Sequence, residues 1–135
     1  MSKRAHLAYI AKKWITLWCT PVDWELFDRL HDEQFEDCSS GGRQPTMEGF
    51  AQGLAELVRA FPDLHTVVEE LVIDESKSKV AVRWAAQGTN QTKFLGIGPT
   101  NQRTKITGIE IIEIQNSRII RRWGEWDISA HKGGT

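Results

Sequence analysis

The hydrophobic period of this chain changes once, near Leu64. Before that point apolar residues recur every three or four positions. Leu7, Ile10, Trp14, Leu17 and Trp18 share one stripe, Leu26, Phe27 and Leu30 a second, and Phe50, Leu54, Leu57 and Val58 a third. After it they alternate with a period of two. Helices first and a strand meander afterwards predict an α+β fold, with helices packed on one face of a curved antiparallel sheet. The 135 residues suffice for one hydrophobic core and read as a single domain, 1–135.

Local signals bound the elements. Thr20-Pro21 breaks the first helical pattern, and Thr20 is expected to cap a second helix over about 22–31 with Pro21 at its first position. Residues 33–40 run into Ser39-Ser40-Gly41-Gly42 and read as loop. Thr46 opens a third helix, which Phe61-Pro62-Asp63 stops. Strands are expected over 66–73, 80–89, 105–115 and 118–127, the last two joined at Asn116-Ser117. Residues 94–100 read as an ordered loop with an apolar tip, and the tail 128–135 as frayed.

Seventeen basic residues against eighteen acidic ones argue against nucleic acid as a partner, because phosphate binding needs a basic excess. No apolar run approaches the length of a membrane span, and the first residues are too interrupted for a signal peptide, so the expected address is the cytoplasm. There Cys19 and Cys38 stay reduced. Neither they nor His6, His31, His65 and His131 show metal spacing. Gly96-Ile97-Gly98 opens no helix, and no nucleophile elbow, phosphate loop or zinc-protease motif occurs, so neither metal nor cofactor is expected. Six tryptophans are the one oddity of composition. They fill a core or line an aromatic cavity, and for Trp14, Trp18, Trp84 and Trp126 both readings stand.

The strand over 105–115 carries the most informative pattern. Alternation places Glu110 alone on a face with Ile106, Gly108, Ile112 and Ile114. A carboxylate on a buried face is either desolvated, with its pKa raised toward that of a general base, or paired with Arg121 or Arg122 as a structural ion pair. Of the two arginines, one facing a cavity would hold a developing enolate or carboxylate, whereas Arg121 reads as part of an outward ladder. Gly124 inside the last strand marks a bulge or a close approach. Asp37 reads as an Asx turn or as a site carboxylate, and Cys38 as a small buried residue rather than a nucleophile.

These residues together resemble the SnoaL-like polyketide cyclases, within the cystatin-like, nuclear-transport-factor-2-like superfamily. The resemblance is carried by Phe61-Pro62-Asp63-Leu64, Val80-Ala81-Val82-Arg83-Trp84 with Gly88-Thr89, the 94–100 loop, Gly108-Ile109-Glu110-Ile111, Arg118-Ile119-Ile120 and Trp123-Gly124-Glu125-Trp126-Asp127. Phe35-Glu36-Asp37 and Met47-Glu48-Gly49-Phe50 match in order, so it spans about 7–127. It implies about three N-terminal helices closing a cone-shaped sheet, an internal pocket and a homodimer through sheet contacts. Founding members perform a metal- and cofactor-free aldol ring closure on polyketide esters, with a pocket-floor carboxylate as acid/base.

The family's His on the last strand and the acid/base Asp two residues later fall on Arg122 and Gly124. Its pocket His on the preceding strand falls on Glu110, that residue's polar neighbour on Gly108, and its early-loop Asn near Asp37. The expected polar inventory is therefore Glu110, Arg122 and Asp37, with Asp127 joining if a bulge turns it inward. Trp18, Phe35, Cys38, Trp84, Phe94, Ile112, Trp123 and Trp126 are expected to line the pocket, and Phe94 and Ile97 to close its mouth or form dimer surface. Related cones isomerise ketosteroids with an Asp base or activate water against epoxides with an Asp-Arg-Asp set. Three functions follow as expectations: an acid/base enzyme on a small apolar carbonyl compound, a non-catalytic binder of an apolar ligand, or a dimeric interaction domain with a filled cone.

Overall fold

The computed structural model describes residues 1–96 and 98–127, so the expectations for Ile97 and for the tail 128–135 lie outside the described residues. Helix α1 (Lys3–Ile15) runs into a 3₁₀ turn (Thr16–Trp18), followed by α2 (Trp24–Leu30), β1 (His31–Asp37), α3 (Met47–Ala60), β2 (His65–Asp74), β3 (Lys79–Thr89), β4 (Arg103–Gln115) and β5 (Arg118–Asp127). The strands form one curved, unclosed sheet in the order β1-β5-β4-β3-β2. Its β2 to β5 part is the expected antiparallel meander.

Side-chain caps set the helix starts. Ser2 accepts from Ala5 N, Asp23 from Leu26 N and Thr46 from Gly49 N. The cap expected at Thr20 sits instead at Asp23, because the Thr20 amide and hydroxyl both point to the Leu64 carbonyl.

Two features depart from the sequence reading. Residues 33–37, read as loop, belong to β1, which pairs in parallel with β5 (His31 opposite Ile119, Asp37 opposite Arg122). Its sequence, His-Asp-Glu-Gln-Phe-Glu-Asp, shows little apolar alternation because it is an edge strand held by one long-range partner. Gly124, read as a bulge or a close approach, is a close approach, and the bulge lies four residues earlier. The β4–β5 register moves from Glu113 opposite Arg121 to Ile114 opposite Ile119, which leaves Ile120 unpaired. Ile119 and Arg122, three residues apart, therefore both face inward, which an unbroken strand forbids.

The helices cover the concave face. Trp14, Phe27, Phe50, His31 and Phe35 form a continuous aromatic cluster, with Trp14 and Phe50 stacked at 6.1 Å and His31 4.7 Å from Phe35. Beneath them Val80, Val82, Ile112 and Ile119 present the sheet's inner face, fully buried. On the outer face Val67, Val72, Ile109 and Ile111 are exposed.

His31, 1 % exposed, is held at both ring nitrogens. An indole N–H can only donate, so Nε2 accepts from Trp14 Nε1 (3.0 Å) and Nδ1–H donates to the Phe27 carbonyl (2.7 Å). Burial lowers its pKa to about 4. The folded state thus binds this proton less readily than the unfolded chain, and the linked stability is full above about pH 6.5 and lost as pH falls through about 4. Urea unfolding at pH 7 and pH 4.5 is expected to show most of a loss of about 3 kcal/mol attributable to this group. His31→Gln removes that part of the pH dependence; an unchanged slope in the variant contradicts the assignment.

Candidate functional site

Three elements meet at a buried ion cluster. β4 turns Glu110 inward by alternation, the bulge at Ile120 turns Arg122 inward from β5, and the end of β1 brings Asp37 opposite Arg122. Glu110 is 2 % exposed, Asp37 1 % and Arg122 4 %. Arg122 donates from Nε (3.0 Å) and Nη2 (2.6 Å) to Glu110 Oε1, and from Nη1 (2.9 Å) to Asp37 Oδ1. Glu110 Oε2 accepts from Trp126 Nε1 (2.8 Å) and Trp84 Nε1 (3.2 Å). The guanidinium also lies 5.2 Å from the Phe50 ring centre.

Two glycines make room for this packing. A Cβ on Gly124 would collide with the Arg122 guanidinium and the Glu110 carboxylate. A Cβ on Gly108 would run into the Trp84 indole, which meets Trp126 edge-on at 5.4 Å over that glycine. Gly124 is the position at which the resemblance expects an acid/base Asp, so the Glu110–Arg122 pair occupies the space such a side chain needs.

Burial pushes the Glu110 carboxyl above its ordinary value, while the Arg122 charge and the donated hydrogen bonds pull it back. Every group bonded to its two oxygens is an N–H donor, and four donors fill their lone-pair positions. The shell fits a carboxylate and offers a protonated acid no acceptor. Burial works against the Arg122 charge, but the Glu110 and Asp37 carboxylates outweigh it and hold the guanidinium charged. Asp37 Oδ1 also accepts from Ser39 N (3.0 Å), the expected Asx turn, whereas Oδ2 is buried without a hydrogen-bond partner among the described residues, 4.0 Å from Arg43 Nη2.

A pocket of about 480 Å³ opens between α3, the loop after β1 and the loop after β3. Trp18, Phe50, Leu54, Phe94 and Trp126 form apolar walls, Ser39 and Ser40 one edge, and Arg122 with Gly124 the floor. Three of the five guanidinium N–H groups are spent within the cluster, leaving one on each terminal nitrogen. Trp126 lines both this pocket and a small void beside Glu110 that has no room for a water molecule. Among the described residues no group of three His, Cys, Asp or Glu side chains is placed to hold a metal ion.

Of the residues singled out from sequence, Arg122, Trp18, Phe94 and Trp126 reach the pocket. Glu110 and Asp37 stand behind its floor, joined through Arg122. Trp84, Phe35 and Ile112 lie in the core rather than on the pocket wall: Trp84 reaches Glu110, Phe35 packs on His31 and Phe50, and Ile112 is fully buried in the sheet's inner face. Trp123 is on the outer face, one residue out of phase with Arg122, where Lys79 Nζ lies 4.9 Å from its ring centre. Cys38, expected buried, is exposed because it follows the inward Asp37, and burial with Glu36 pushes its thiol pKa up. Asp127 is exposed and opposite Thr107; with the bulge at Ile120 and regular pairing beyond it, nothing turns it inward.

Sequence reading did not single out Arg43, Ser39, Phe50, Leu54, Arg59 or Lys93 as pocket residues. The one signal for Arg43 was in α3, where Gly49 and Gly53 stand four apart inside a helix, a poor place for glycine unless something approaches closely.

Helices seated on a curved, unclosed α+β sheet, with a pocket over a buried charged floor, give a fold of the nuclear-transport-factor-2-like kind. The sequence profile of the SnoaL-like polyketide cyclases matches residues 8–132, and the chain belongs to that family. TsrD from Streptomyces laurentii superimposes with a TM-score of 0.84 at 17% identity, over 98% of this chain and 96% of that one. IdmH from Streptomyces antibioticus, described as a candidate polyketide cyclase, gives 0.81 at 20% identity over 96% and 99%. AclR from Streptomyces galilaeus, described as a candidate hydroxylase, gives 0.79 at 18% over 96% and 95%. At these identities the likeness establishes the fold, and the differing descriptions show that the fold alone does not set the chemistry. No curated protein matches the sequence significantly.

Proposed function

We propose that the chain is a small-molecule-binding member of its family whose pocket takes a mostly apolar carbonyl compound, with the carbonyl oxygen on Arg122. The observation that carries this reading is Arg122 itself: it lines the pocket with N–H groups left over, while its charge is fixed from behind by Glu110 and Asp37. A cation so held polarises a carbonyl without moving. Glu110, with its lone pairs filled, serves as a strut rather than a base.

A second reading rests on Asp37 Oδ2, a buried side-chain oxygen without a hydrogen bond among the described residues. A carboxylate–arginine–carboxylate set with one uncommitted oxygen supports acid/base catalysis at Asp37, by analogy with the water-activating sets of related cones.

Methyl anthracene-9-carboxylate, followed by quenching of tryptophan fluorescence, tests both. Saturable binding is expected to survive in folded Glu110→Gln and to disappear in Ser40→Trp, which fills the pocket from a loop. Failure of the wild-type protein to bind, or indifference to Ser40→Trp, contradicts the proposal. Turnover of the ester that is lost in Asp37→Asn selects the second reading.

The exposed Ile109, Ile111 and Val72, with Trp123 beside them, support a homodimer through the outer sheet face. Light scattering is expected to give twice the chain mass, falling to one in Ile111→Glu; a wild-type monomer overturns it. The two free cysteines support a reducing, cytoplasmic setting.

A further inference from the structure

The rim of the pocket gathers positive charge. Arg43 from the loop after β1, Arg59 from α3 and Lys93 from the loop after β3 stand there against a single acid, Glu56. In a chain of net charge −1 this is a local basic excess. Among the described residues neither Arg59 nor Lys93 has an ion-pair partner. A cleft with apolar walls and cations at its mouth concentrates the field of those cations on whatever enters.

Arg43 is seated rather than floating. Its Nε donates to the Gly49 carbonyl (3.2 Å), and its guanidinium crosses α3 at Gly53, where a Cβ would stand 2.6 Å from Cζ. Glycine weakens a helix interior, yet here it opens the groove in which the arginine lies. The terminal nitrogens remain without hydrogen bonds among the described residues, the nearest carboxylate oxygen being Asp37 Oδ2 at 4.0 Å.

The floor and the rim suit different groups. Arg122 already faces two carboxylates, so the buried trio is net negative when all three are ionised, and a full anion placed on it meets repulsion. A neutral carbonyl oxygen does not. At the rim the cations outnumber the acid, and an anion there is neutralised.

We propose that the ligand of this pocket is an apolar body bearing one carboxylate, bound with the carboxylate outward at Arg43, Arg59 and Lys93 and the body between Phe50, Phe94 and Trp126. The proposal rests on the small-molecule reading above and adds to it the charge and direction of the ligand.

Anthracene-9-carboxylate and its neutral methyl ester, titrated in parallel by fluorescence, test it. The acid is expected to bind about tenfold more tightly than the ester in low salt, as charged hydrogen bonds allow. The gap narrows in 0.5 M salt and falls to about twofold or less in Arg59→Ala/Lys93→Ala, since screening and loss of rim charge weaken the anion's binding more than the ester's. Gly53→Ala is the sharper variant. It strengthens the helix and keeps every charge, but evicts Arg43 from its groove, so the protein melts higher while the preference for the acid declines. Equal affinities in the wild type overturn the proposal and leave the small-molecule reading standing. A gap that persists in the double variant places the anion elsewhere and also overturns it. Binding of neither compound overturns both readings.

Discussion

A charge taken out of water must be met by partners, and in this fold that requirement falls on Glu110. Its carboxylate sits on the inner face of the central sheet, where four N–H bonds, two from Arg122 and two from indoles, meet its demands, and a fifth ties Arg122 to Asp37. The bulge at Ile120 selects Arg122 rather than Arg121 for the interior. Gly108 and Gly124 remove the side chains that would block Trp84 and Arg122. The edge strand β1 is joined to the sheet not only by backbone pairing but through Asp37. Arg121, by contrast, pairs with Glu113 (2.7 Å) on the outer face, where the surrounding water lessens the energetic worth of the bond.

The same arrangement shapes the pocket. An arginine clamped from behind by two carboxylates cannot swing away to meet a ligand, so its unspent N–H groups are fixed before anything binds. Trp126 lines the pocket and donates to Glu110, so one side chain joins the polar layer to the binding layer. The family relation explains the scaffold. Gly124, which carries no side chain, leaves the floor to the Arg122 guanidinium.

Much of this was legible in the sequence. The change of period near Leu64 set the class of fold, and simple alternation along β4 brought Glu110 inward. Thr46 announced α3, and Asn116-Ser117, both at positive φ, announced the last hairpin. What was not legible depended on partners distant in sequence. β1 looks like loop because its order comes from β5, some eighty residues on. The bulge at Ile120 leaves no glycine or proline as a signal, and regular pairing beyond it puts Trp123 and Asp127 on the outer face. Cys38 and Phe35 were misplaced by the same unrecognised strand, whose alternation buries Phe35 and exposes Cys38.

The central claim is that Glu110 is an ionised strut that holds Arg122 at the pocket floor. The carboxyl carbon signal of Glu110, assigned by its absence in Glu110→Gln, tests it directly by NMR titration. The account predicts the signal of a carboxylate at neutral pH, since the four hydrogen bonds to it favour the charged form against the burial that raises its pKa. A titration centred near pH 7 would show an acid that exchanges its proton at neutral pH, and would return Glu110 to the role of a general base.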